Sequence, residues 1–170
     1  MMVFSIILLT VSFLLQGVLS NFLAYISGGI SILSTFYVLI TLLILSPYFE
    51  GNRKKFIVLL IIFGGLIDLV YCNTFLLNIG IFYVVYKFSA VFHFFLPYNL
   101  VTINVSNLLG VFIYHILSFI LLSLFRFGNY SIMMLVRMLG CSVIMTIVYT
   151  TISYFVVNIV RDKKELKEIK

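Results

Sequence analysis

Four ionisable side chains lie inside the long apolar runs of this sequence: Asp68, Lys87, His93 and His115. A carboxylate in hydrocarbon is costly, so Asp68 must be satisfied by its neighbours or put to use. It stands about twelve residues into a run that begins at Phe56, roughly 18 Å along a helix. Gly64-Gly65 precede it and Tyr71-Cys72-Asn73-Thr74 follow it. That polar turn leads straight into the next apolar run, which describes a tight helical hairpin with Asp68 near its outer tip. Two kinds of role are open to the carboxylate. It can accept hydrogen bonds from backbone amides at the start of the following helix, where the helix dipole favours negative charge, together with Asn73 or Thr74. Alternatively it pairs with Arg137, the cation placed near the outer end of the last run, or binds a cationic substrate.

The remaining polar groups point to packing. Lys87 is placed deep in its run, from where its ammonium reaches headgroups by snorkelling along its own stem. Neither His93 nor His115 has a second histidine or a carboxylate at metal-ligand spacing on its own helix, so both read as hydrogen-bonded to a neighbouring helix. Cys72 and Cys141 stand alone, without the spacing of a metal site or redox pair. Ser12, Gln16 and Ser20 recur at intervals of four, as do Ser142, Thr146 and Thr150. Each set forms one stripe, and small hydroxyl residues let helices approach closely. Gln16 also suits the wall of a transport cavity. No nucleophile elbow, phosphate-binding loop, paired-histidine motif or pair of carboxylates occurs, so a non-enzymatic role without metal or cofactor is expected.

These residues need elements to hold them, and the composition says what kind. Of the 170 residues, 64% are hydrophobic and 9% charged, with a mean hydropathy of +1.26. That is the composition of a bilayer-embedded chain. About 20 apolar residues cross about 30 Å of hydrocarbon, and six runs qualify: 3–22, 30–49, 56–72, 75–96, one within 105–125, and the stretch after Arg137 up to Val160. The expected fold is all-α, a single polytopic domain over 1–170 with about six membrane helices and a short charged tail at 161–170. Placing both ends in the cytoplasm puts nine of the eleven Lys and Arg on the inner side, leaving only Arg126 and Arg137 outside. The net charge of +6 is concentrated next to membrane ends, which suits anionic lipid headgroups and not nucleic acid. The first run lacks a basic start and an Ala-x-Ala site, and is expected to be a retained helix.

The stretch Phe63-Gly64-Gly65-Leu66-Ile67-Asp68-Leu69-Val70-Tyr71, followed by Asn73-Thr74 and the apolar residues 75–85, resembles the central signature of the bacterial rod-shape-determining protein MreD family. Gln16 in the first run, the basic turn Arg53-Lys54-Lys55, six runs and a charged tail extend the resemblance over nearly the whole chain. One departure is that the family's glycine soon after the outer turn is replaced here by Leu76-Leu77-Asn78, with Gly80 later. The resemblance implies a scaffold subunit of the machinery that elongates the peptidoglycan side wall in the bacterial cell membrane. Its implied partners are a bitopic MreC-like protein and, through it, an MreB-like filament and a RodA-type polymerase with its transpeptidase. It also implies a fold similar to the substrate-binding subunit of energy-coupling vitamin transporters, and membership of that transporter class is the competing function. A vitamin binder lines its outer cavity with converging polar and aromatic groups, whereas a scaffold packs it shut.

Overall fold

A computed structural model of the chain describes residues 2–26, 36–72, 76–125 and 131–168. Six α-helices carry it: α1 (Met2–Ile26), α2 (Tyr37–Leu45), α3 (Arg53–Ile67), α4 (Leu77–Phe95), α5 (Leu100–Leu124) and α6 (Ile132–Glu168). Helices α1, α4, α5 and α6 are each long and apolar enough to cross a membrane. Helix α3 runs on through a π-helical turn, Asp68–Cys72, so the two together span 53–72.

The polarity of the helices is inverted relative to a soluble protein. Helix α1 turns Ser5, Leu9, Ser12 and Gln16 inward and presents Val3, Ile7, Val11, Leu14 and Val18 outward. Helix α6 does the same, burying Ser142, Thr146, Thr150 and Ser153 while exposing Ile144, Val148, Ile152 and Phe155. Water would reward the opposite arrangement; lipid tails are as apolar as leucine and leave small hydroxyls to the helix contacts. The chain is an all-α membrane protein. Both stripes of small residues therefore face inward, although the side chain of Ser20 lies outside the described residues.

Helix α2 is the hub. All nine of its residues are buried, and it packs against α1, α4, α5 and α6. A helix that is apolar all round has no surface to offer solvent, and this one is enclosed by its neighbours. Pro47 ends it. The proline has no N–H to give to the carbonyl of Leu43, and the Ser46 hydroxyl donates to that carbonyl instead, at 3.0 Å. The chain tightens into a 3-10 stretch, Ser46–Asn52, before α3 begins. Residues 30–35 of the second apolar run lie outside the described residues.

Two boundaries differ from the sequence reading. Helix α5 starts at Leu100, inside what reads as a connection, because the Asn99 side chain accepts from the Thr102 backbone N–H at 2.8 Å and caps it. Helix α6 starts at Ile132, where the Ser131 hydroxyl oxygen accepts from the Met133 N–H at 3.2 Å. Arg137 is thus within the helix and not at its threshold. Helix α6 continues unbroken to Glu168; its 37 residues reach about 55 Å, well beyond a hydrocarbon core of about 30 Å.

Candidate functional site: a buried carboxylate at a hairpin tip

The hairpin around Asp68 is built from close approach and strain. On α3, Phe56, Leu59, Leu60, Phe63, Gly64 and Ile67 face the core. A Cβ on Gly64 would stand 3.2 Å from the Ile79 Cα, so the glycine lets α4 lie almost against the α3 backbone. Gly65 is less confined, its nearest neighbour being the Ile79 Cδ1 at 3.5 Å. The chain enters α4 through Leu76, whose φ of 63° and ψ of 0° put it in the left-handed region. A leucine there costs about 1–2 kcal/mol that a glycine avoids. This is the segment in which the resemblance had led to the expectation of a glycine.

Leu76 gives α4 no side-chain cap. Asp68 supplies one from across the hairpin. Both of its carboxylate oxygens accept from the Asn78 backbone N–H at 3.1 Å, and Oδ1 also accepts from Asn78 Nδ2 at 2.9 Å. Asn78 occupies the second position of α4, one of the N–H groups left without a partner inside any helix, and the dipole of α4 favours a negative group there.

The network continues into α5. Asn78 turns its amide N toward the acceptor-only carboxylate, which leaves Oδ1 to accept from the Tyr114 hydroxyl. Asp68, Asn78 and Tyr114 are respectively 2%, 0% and 4% exposed, so the chain of bonds is closed to solvent. The Tyr114 ring packs on Phe36, centroids 3.9 Å apart, and on Phe82 at 5.8 Å. Three elements are joined in this way: the π-helical turn after α3, the start of α4, and the middle of α5.

The other candidates fall in different places. Arg137 is exposed on α6, a helix that packs against α5 and α2; among the described residues no ion pair joins it to Asp68, because that carboxylate is buried against the start of α4. Asn73 and Thr74 lie outside the described residues. Gln16 accepts from the Val38 N–H at 3.4 Å, at the entrance to α2, so its amide serves the α1–α2 contact. His115 is buried against Phe36 and Tyr114. Lys87 is exposed, with Nζ 5.5 Å from the centre of the Tyr83 ring.

A second polar cluster was not legible in the sequence. Ser12, Thr41 and Tyr149 bring their oxygens within 2.6–2.8 Å of one another, tying α1, α2 and α6. Ser12 and Thr41 also lie close to the carbonyls of Leu8 and Tyr37, at 2.7 and 2.9 Å. Three hydroxyl protons serve these five contacts, so two of them go without a proton at any moment. Ser12 was visible as part of a stripe, and Thr41 and Tyr149 carried no comparable signal.

No family model, curated protein or solved structure matches this chain. What it does must be read from these side chains. A carboxylate closed off from solvent, engaged by a backbone N–H and an amide, is placed to fix helix positions.

Proposed function

We propose that this protein is a non-enzymatic membrane scaffold subunit of the bacterial cell-elongation complex, in which side-wall peptidoglycan is made and cell shape is set. The observation that carries the reading is the closure of the Asp68 site. A ligand-binding subunit keeps polar groups converging on an open cavity, whereas Asp68, Asn78 and Tyr114 are buried and hydrogen-bonded in a chain from one to the next. The motif around Gly64-Gly65 and Asp68 and the order of the elements support the placement in the MreD family. With so little chain outside the helices, contacts with an MreC-like bitopic protein run through helix faces and short outer connections, and reach the MreB-like filament and the RodA-type polymerase indirectly. The protein sits in the bacterial cell membrane with both ends in the cytoplasm.

The test is affinity capture of the tagged full-length protein from native membranes, with mass spectrometry of what comes with it. Wall-elongation proteins, enriched over a membrane protein of similar abundance, are the expected result. Capture of an ATPase module with a transmembrane coupling subunit would overturn the reading in favour of a vitamin transporter.

A further inference from the structure

At the opposite end of α3 from Asp68, a cavity of about 160 Å³ opens between the 3-10 stretch, the start of α3 and the last half of α4. Its wall is chemically divided. Arg53, Lys87 and His93 contribute nitrogen donors, and Pro47, Tyr86 and Phe94 contribute apolar and ring surface. The donors come from two different helices, so the convergence of charge is a product of the fold and not of a basic stretch of sequence. His93 Nδ1 is buried and makes no hydrogen bond among the described residues. Lys87 lines the cavity six residues before His93 on α4, and its Nζ stands 5.5 Å from the centre of the Tyr83 ring. Arg53 adjoins Lys54 and Lys55, at the helix end where the headgroups of the basic side of the membrane lie.

From the geometry we infer that this cavity holds one phosphate group, that of an anionic phospholipid headgroup. Two cationic side chains and an imidazole nitrogen match the charge and acceptor oxygens of a phosphate. A cavity of about 160 Å³ has room for a phosphate with its ester linkage. The exposed apolar residues beside it, Val91, Phe94 and Phe95, offer the acyl chains a continuous surface. The site is independent of the Asp68 network and of the proposed partners.

The test uses the full-length protein in nanodiscs of phosphatidylcholine doped with phosphatidylglycerol, and native mass spectrometry to count the lipid retained. The wild type is expected to keep one phosphatidylglycerol. The double variant Arg53→Gln, Lys87→Gln is expected to lose it, with retention falling tenfold or more, in line with two lost Lys/Arg–headgroup attractions. The control Lys54→Gln, Lys55→Gln removes the same charge from exposed positions that do not line the cavity, and is expected to retain the lipid. Equal loss in both variants, or loss in neither, would overturn the site and leave only a diffuse attraction. Inorganic phosphate at millimolar concentration in pure phosphatidylcholine discs separates the two sources. An Arg53- and Lys87-dependent rise in thermal stability there would overturn the lipid assignment in favour of a soluble phosphate; no rise supports the lipid.

Discussion

Asp68 does at the residue scale what an N-cap aspartate does in a soluble helix, but from another element. Capping through Asn78 offsets the left-handed Leu76 two residues before it, and the two effects are opposed in sign. Leu76→Gly should therefore stabilise the protein by about 0.5–1 kcal/mol, relief of about 1–2 kcal/mol of strain less the greater chain entropy a glycine loses on folding. A thermal unfolding midpoint at or below that of the wild type would contradict the strain. Tyr114→Phe keeps the ring against Phe36 and Phe82 and deletes the donor to Asn78 Oδ1. Leaving that buried oxygen unsatisfied should cost about 1–3 kcal/mol, measured in the same assay. The importance of Asp68 could be seen in the sequence, since an acid in an apolar run declares itself. Tyr114 could not, because it is one of eleven tyrosines and lies 36 residues from the asparagine it serves. Asn78 was in view only as a departure from a family pattern, although an asparagine in a membrane helix carries its own demand for partners.

The elements are arranged by how closely their backbones can approach. Gly64 and Gly65 read alike in sequence, and the fold treats them differently. Gly64→Ala gains up to about 1 kcal/mol of helix propensity, but its methyl meets the Ile79 Cα, a backbone atom that cannot step aside. Overpacking of about 1–3 kcal/mol should dominate, and the variant should unfold at lower temperature. Gly65→Ala meets only the tip of the Ile79 side chain and should be neutral or stabilising. Equal behaviour of the two variants would contradict the asymmetry of the hairpin. Four of the six apolar runs return as helices long enough to cross a membrane, α1, α4, α5 and α6, and these were legible because length and composition are enough to define a span. Their starts at Leu100 and Ile132 were not, because capping by Asn99 and Ser131 decides them and the apolar count is blind to caps. The central position of α2 was hidden for a related reason: a helix apolar on every side gives no periodic signal of which faces are covered.

At the scale of the whole molecule, small hydroxyls inside and branched aliphatics outside make a body whose specific contacts are internal and whose surface is suited to lipid and to other helices. The distribution of Lys and Arg predicts that cysteines introduced at Lys54 and Lys164, with Cys72 and Cys141 replaced by Ser, react with an impermeant reagent from the same side of a sealed membrane. Labelling from opposite sides would contradict an even number of spans. The Asp68 network belongs to this scale as well, since it couples three elements around one acid that has been taken out of water. The most direct test of that coupling is the thermal unfolding of Asp68→Ala beside the wild type in the same nanodiscs. The network predicts a clear fall in the midpoint, corresponding to about 1–3 kcal/mol for each donor left without its acceptor; an unchanged midpoint would contradict it.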